Sequence, residues 1–357
     1  MTTLQETALE GAGTARFDSV GMAERLRRRI EEIGGRGLAV TAALVVLSSI
    51  AFIVKDGPKI YWIRFLDALA NGFIYGAVAL ALVLIYKATG IINFAQGSMA
   101  MFFTFIAWVL AREQGLPVWI SIVLAMALSS VFAAVFERVF IRPFDPSNHL
   151  PITMITIALL SIIDGLAMLI WFADPKSFPS PFPADPKKDY VDVFGARIFY
   201  ATMGIWVTVI VMTATLTLLL SKTKIGLAFR AVSSNLESSR LVGISVGRTL
   251  QFGWALAAAI GTLSGCLVLS DTKTYLDPSF MAKALVFAFA AATIGGLDSL
   301  VGAVVGGLLV GQLQTMVGGY ITFIGSDLVL AVSLLVVIIV LLVRPNGLFG
   351  KVRVERV

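Results

Sequence analysis

Tyr86-Lys87-Ala88-Thr89-Gly90-Ile91-Ile92-Asn93-Phe94-Ala95-Gln96 separates two apolar stretches of unequal length. Ahead of it, residues 65–85 are long enough to cross a bilayer, whose hydrocarbon core takes about 20 helical residues. Behind it, residues 99–110 are too short to cross alone. A polar Asn-Phe-Ala-Gln-Gly segment leading into an apolar helix leaves backbone groups that lipid cannot satisfy, so it must face protein or a water-filled cavity. Helices interrupted in this way line transport pathways, which makes Asn93, Gln96 and Ser98 candidates for the wall of one. The other reading is a short cytoplasmic turn in which Asn93 does no more than cap the next helix. The residues alone leave both open.

Composition sets the class. The 357 residues are 58% hydrophobic and 14% charged, with a mean hydropathy of +0.89, whereas soluble domains carry about 25% charge. The expected fold is an all-α polytopic membrane bundle. Ten apolar segments are legible, at 38–54, 65–85, 91–110, 118–136, 150–172, 200–220, 250–270, 281–294, 300–317 and 328–343. Those at 91–110 and 281–294 are short or polar enough to be partly re-entrant. If all ten cross from a cytoplasmic N-terminus, most of the 28 Lys and Arg fall inside, among them Arg25, Arg27, Arg28, Arg29, Arg138, Arg142, Lys222, Lys224, Arg230, Arg240 and Arg344. That bias predicts both termini on the cytoplasmic side. It also accounts for the net charge of +6, which in a soluble chain would point to nucleic acid.

Residues 1–37 do not read as a cleaved signal, because Ile30-Glu31-Glu32 follows Arg27-Arg28-Arg29 where an apolar core is required. Met22, Leu26, Ile30 and Ile33 recur at helical spacing opposite Glu24, Arg25, Arg28, Arg29 and Glu32. This reads as an amphipathic leader on the cytoplasmic membrane surface, ahead of an extra membrane helix at 38–54. In the outer loop 173–199, Pro175, Pro179, Pro181, Pro183 and Pro186 forbid a long helix, leaving a spacer or a contact for an extracytoplasmic partner. The longest inner loop, 221–249, is different. Ser233, Ser234 or Asn235 can cap a short helix carrying Leu236, Glu237, Arg240 and Leu241, and Gly243 can end it. A short helix with apolar and charged surface, held off the membrane, suits docking into a partner's groove.

Inside the spans, charge is sparse. Asp164 lies within 150–172, and an intramembrane carboxylate is costly enough to count as a candidate site; the alternative is a buried carboxyl bonded to Ser161 or to a neighbouring helix. Gly72/Gly76, Gly261/Gly265, Gly302/Gly306 and Gly307/Gly311 have the small-xxx-small spacing of closely packed membrane helices. Cys266 and His149 are each the sole residue of their type, so no Cys- or His-based metal site is expected, and no cofactor. There is no Gly-x-x-x-x-Gly-Lys-[Ser/Thr] phosphate loop, His-Glu-x-x-His or Gly-x-Ser-x-Gly arrangement. The chain is not expected to be an enzyme or to hydrolyse ATP itself.

Four segments, in order, resemble one family. Residues 72–98 read GFIYGAVALALVLIYKATGIINFAQGS; 226–232 and 239–244 read GLAFRAV and SRLVGI; 294–307 read IGGLDSLVGAVVGG; and 344–350 read RPNGLFG. Together they look like the signatures of LivH-type permeases of branched-chain amino acid ABC importers. The resemblance spans about 62–350 and implies a permease domain at 62–343 with a cytoplasmic tail at 344–357. It implies a multi-pass protein of the bacterial inner membrane, paired with a second, LivM-type permease. Two cytoplasmic ATPase subunits would dock on the 221–249 loops, and an extracytoplasmic binding protein would deliver the solute. Family members carry branched-chain or other hydrophobic amino acids, urea, or short amides. Two positions depart from the family pattern: Ser98 stands where Glu is common, and Asp164 where an uncharged residue is usual. A stand-alone secondary transporter would instead carry an internal inverted repeat, and none is evident between 62–172 and 200–343.

Overall fold

A computed structural model of the chain describes residues 57–144, 149–172, 174–270, 275–320 and 347–350, with isolated helical positions between 331 and 342. The expected leader at 1–37 and first apolar segment at 38–54 lie outside the described residues, as does most of 328–343. What is described is a membrane-type helix bundle. Its elements are α1 (Pro58–Thr89), α2 (Gln96–Arg112), α3 (Val118–Phe136) with a π-helical extension (Glu137–Ile141), α4 (His149–Trp171), β1 (Tyr190–Val193), β2 (Ala196–Phe199), α5 (Tyr200–Lys222), α6 (Lys224–Ser234), α7 (Leu236–Leu241), α8 (Val246–Ser270), α9 (Phe280–Gly295) and α10 (Leu300–Tyr320).

Among the described residues, six helices are long and apolar enough to cross a membrane: α1, α3 with its π extension, α4, α5, α8 and α10. The 16 residues of α9 reach about 24 Å at 1.5 Å per residue, short of the ~30 Å core. With 17 residues, α2 is little longer. Both short segments expected from the sequence are therefore short helices, and α2 starts at Gln96 rather than 91 because the chain turns first.

Two helices occupy the centre. In the most apolar stretch of α1, 83% of residues are buried, and in α8 78%, against 28% in each of α3, α4 and α5. The latter three show apolar side chains outward, Val131, Leu169 and Val207 among them, as helices that contact lipid do. Around the central pair, α10 packs on α1 and α9, while α2 and α3 pack on α8.

The glycine pairs explain how backbones come this close. Gly72/Gly76 on α1 face Gly307/Gly311 on α10, so that a Cβ at Gly307 would run into the backbone of Gly76 and one at Gly311 into that of Gly72. Neither obstacle is a flexible side chain, so neither could move aside. Gly261 and Gly265 on α8 instead make room for the polar tips of Gln96 and Thr104 on α2.

One local element departs from the helical expectation. Within the proline-rich loop, Tyr190–Val193 pairs antiparallel with Ala196–Phe199. The two-residue turn has positive φ at both Phe194 (53°) and Gly195 (79°), the signature of a type I′ hairpin. The prolines all precede it. Trp62 at the start of α1 donates its indole N–H to the Val193 carbonyl at 2.9 Å, which holds the hairpin to the bundle at the end of α5 opposite to α6.

Candidate functional site

The break between α1 and α2 is built by local chemistry. Gly90 adopts φ 72° and its N–H bonds back to the Tyr86 carbonyl at 2.7 Å, ending α1 in the left-handed conformation that glycine takes without penalty. Three residues on, the Asn93 side-chain oxygen accepts from the Ala95 N–H at 3.0 Å, an Asx turn that launches α2. Asn93 and Gln96 are almost wholly buried, and Ser98 is 8% exposed. The Asn93 amide reaches the Gln96 Oε1 at 3.4 Å, and Gln96 donates to the Ala257 carbonyl of α8 at 3.0 Å. The polar start of α2 thus satisfies itself against α8. Capping and burial are both used at once: Asn93 turns the chain, and Gln96 ties the new helix to the bundle centre.

At the same end of the bundle the 221–249 loop forms two helices. Thr223 accepts from the Gly226 N–H at 3.1 Å to start α6. Asn235 accepts from the Ser238 N–H at 2.8 Å to start α7, as an N-cap should. The Gly243 N–H bonds to the Arg240 carbonyl at 3.1 Å with Gly243 at φ 81°, so the short helix stops there. The helix α6 was not foreseen; its signal was the Thr at 223, three residues before a glycine. Leu241 and Val242 are 88% and 74% exposed, whereas Leu236 is half-buried against the bundle.

These two features meet. A cavity of about 450 Å³ is lined by Thr89, Ile91, Ile92 and Asn93 of the break, by Leu236, Glu237 and Arg240 of α7, by Ile152 and Thr156 of α4, and by Leu250 and Trp254 of α8. Its remaining wall is the end of α3, where the helix widens into a π turn closed by the Arg142 N–H on the Glu137 carbonyl at 2.7 Å. Such turns recur at functional sites. Glu137 is 1% exposed and is held by Arg142, at 2.6 Å to one carboxylate oxygen and 3.3 Å to the other. The same guanidinium donates to the Gly247 carbonyl at 2.9 Å, which pins α3 to the start of α8. Glu137 is not among the residues that the sequence singles out. Its only signal was an Arg five residues on, the spacing that a π turn brings together.

The remaining expected site residue stands apart. Asp164 is half-buried on α4 and is not among the residues lining this cavity. Ser161 donates to the Ile157 carbonyl, so the alternative of a Ser161–Asp164 bond is not taken up. No group of three or more His, Cys, Asp or Glu that could hold a metal ion occurs among the described residues.

Comparison with known proteins gives this geometry a family. A family model described as "Branched-chain amino acid transport system / permease component" matches residues 64–343. The chain belongs to that permease family. The permease is 30% identical over 312 residues to the high-affinity branched-chain amino acid transport system permease protein BraD of Pseudomonas aeruginosa, covering 84% of this chain and 100% of that one. It is 27% identical to the corresponding LivH of Escherichia coli over 83% of this chain and 99% of the relative. A probable LivH of Methanocaldococcus jannaschii is 27% identical over 76% and 87%. Like them it is a multi-pass plasma-membrane protein. The matched range includes the α1–α2 break, the π turn and α7. Beyond the matched range, the Leu348 and Phe349 N–H groups cap the Ile294 and Gly295 carbonyls at the end of α9, at 2.8 and 3.0 Å.

Proposed function

We propose that the chain is one permease subunit of an ATP-driven importer for branched-chain or other hydrophobic amino acids. The observation that carries this reading is the shared cavity: α7, which exposes Leu241 beside Glu237 and Arg240, lines the same cavity as the α1–α2 break. A partner that pulls on α7 would act directly on the interrupted helix. In this reading the permease has about ten helices with both termini cytoplasmic, an amphipathic leader at 1–37, an extra span at 38–54, a transport domain at 62–343 and a tail at 344–357. A second, LivM-type permease completes the central path, two cytoplasmic ATPases hydrolyse ATP and dock on α7, and an extracytoplasmic protein delivers the solute. Asn93, Gln96, Ser98 and Asp164 border the path. Nucleotide acts through its different affinity for the inward- and outward-facing states. BraD and LivH, named for branched-chain amino acids, support that solute class.

Affinity purification of this chain from its own cells tests the reading. ATPase subunits and a second permease should co-purify, and uptake of L-leucine into proteoliposomes should require them together with ATP. Uptake by this chain alone would favour a secondary transporter instead.

Asp164 provides a finer test. An ionised carboxylate facing lipid is expensive, so in the assembled importer it faces the second permease or the path. Asp164→Asn keeps the size and one acceptor and should retain most uptake. Asp164→Leu should weaken permease pairing by roughly 1–3 kcal/mol, the cost of leaving a partner unsatisfied. Loss of uptake in the Asn variant with intact assembly would mean instead that transport needs the charge.

A further inference from the structure

A polar seam joins α1 to α10 at a depth where spans are otherwise apolar. Asp67, Asn71 and Tyr75 recur every fourth residue along one face of α1, and Tyr75 is the middle residue of the apolar run 65–85. Across from them on α10, one turn past Gly311, stand Gln314 and Thr315. The Asn71 amide donates to the Thr315 hydroxyl at 3.2 Å and to the Gln314 Oε1 at 3.4 Å. The Tyr75 hydroxyl donates to the same Oε1 at 3.3 Å. These bonds use half of each amide. The Gln314 N–H pair and the Asn71 Oδ1 have no partner among the described residues, and neither is sealed from the outside of the chain. All four side chains are half-buried. Lipid cannot satisfy such groups, and α3, α4 and α5 turn apolar side chains outward instead.

We infer that Asn71, Tyr75, Gln314 and Thr315 line the solute path near the middle of the membrane. The seam carries no charge of its own: α1 has none between Asp67 and Lys87, and α10 has none at all. Uncharged donors and acceptors hold a solute of zero net charge and let it go, whereas a fixed charge at this depth would trap a counter-ion and stop turnover. For a zwitterion, the Gln314 N–H pair takes the carboxylate and the Asn71 Oδ1 the ammonium. The Tyr75 ring stacks on Phe287 of α9 at 4.9 Å between centroids, which sets an apolar wall beside the amides. Asn93 and Gln96, by contrast, spend their amides on each other and on α8. The inference deepens the reading of the chain as an importer permease and rests on it.

The test uses the complete importer in a Cys266→Ser background. Asn71→Cys, Gln314→Cys and Thr315→Cys are treated with aminoethyl methanethiosulfonate, an ammonium reagent of amino-acid size, in nucleotide-free and ATP-trapped states. Labelling should be fast in one state and slow in the other, L-leucine should slow it, and the labelled importer should lose uptake. Thr315→Cys is nearly isosteric, which guards against a packing defect in the other two. Val131→Cys, on the outward face of α3, should stay unlabelled and active. Gln314→Leu should lower the maximal uptake rate about tenfold, the effect of losing one hydrogen bond to a charged group at the barrier, with the second permease and the ATPases still co-purifying. Cysteines inert in both states of an importer that still transports overturn the inference and leave the seam as a tie between α1 and α10 or a contact with the second permease. Labelling that neither nucleotide nor leucine alters overturns it too. Failure of the importer reading shows separately, as no ATP-dependent uptake by the Cys266→Ser parent.

Discussion

Replacing Leu236, Arg240 and Leu241 together by Asp will release the ATPase subunits from the permease and reduce ATP-driven uptake to background, with the membrane bundle still folded. Leu241 is 88% exposed, and beside it Val242 is 74% exposed. An apolar pair left so open at the tip of a capped helix has no role in this chain's own core. Burial of a leucine in a partner contributes about 1.5–3 kcal/mol, so losing the exposed Leu241 costs about that much, and Leu236, already half-buried against the bundle, adds less. That corresponds to at least about tenfold weaker association, before counting the repulsion of three added carboxylates. Leu236 also lines the cavity, so Leu241→Asp alone separates docking from cavity effects and should still weaken association about tenfold. Co-purification of the ATPases and size-exclusion profiles of the permease are the measurements. Undiminished ATPase binding in the triple variant would remove α7 as the docking element.

The second large effect is expected at the π turn. Arg142→Ala leaves the Glu137 carboxylate, 1% exposed, without its counter-charge and frees the Gly247 carbonyl that the same guanidinium holds. Breaking a buried pair by removing one partner costs about 3–5 kcal/mol. The Arg142 side chain is 34% exposed, so the lower end, about 3 kcal/mol, is expected. Glu137→Gln should cost less, because the amide oxygen can still accept from Arg142 and the cation retains access to water. The double variant should recover part of what Arg142→Ala loses. Thermal unfolding of the detergent-purified protein, followed by the temperature at which the monodisperse peak is lost, gives the order of the variants. Equal stability of Arg142→Ala and wild type would show that the pair does not hold α3 to α8.

The parts of this protein that the chain announces in its own sequence are those governed by neighbours a few residues apart. Apolar runs of bilayer length specify the spans, because lipid forces each backbone to satisfy itself within its own helix. The α1–α2 break is legible because Gly90 and Asn93 act within four residues of themselves, and α7 because Asn235 and Gly243 do the same at its two ends. The β-hairpin is legible by the same means, since Phe194-Gly195 is a turn flanked by residues of strand character. The four glycine pairs are equally visible.

Which glycines meet which is a different matter. Gly72 and Gly76 could have packed on any small-residue stripe, and it is the placement of α10 against α1 that matches them with Gly307 and Gly311. Glu137 is the sharper case. As a residue it is a charge at a helix end; as a buried group it depends on a π turn and on a carbonyl at Gly247, about a hundred positions away along the chain. The cavity has the same origin, since Asn93, Glu237 and Trp254 lie far apart in sequence and share a wall only once α3, α4, α7 and α8 have packed. Local hydrogen bonds and periodicity specify each helix and where it stops. Only the packing of helices on one another, through side chains distant in sequence, decides which polar groups lose water and what space is left between them.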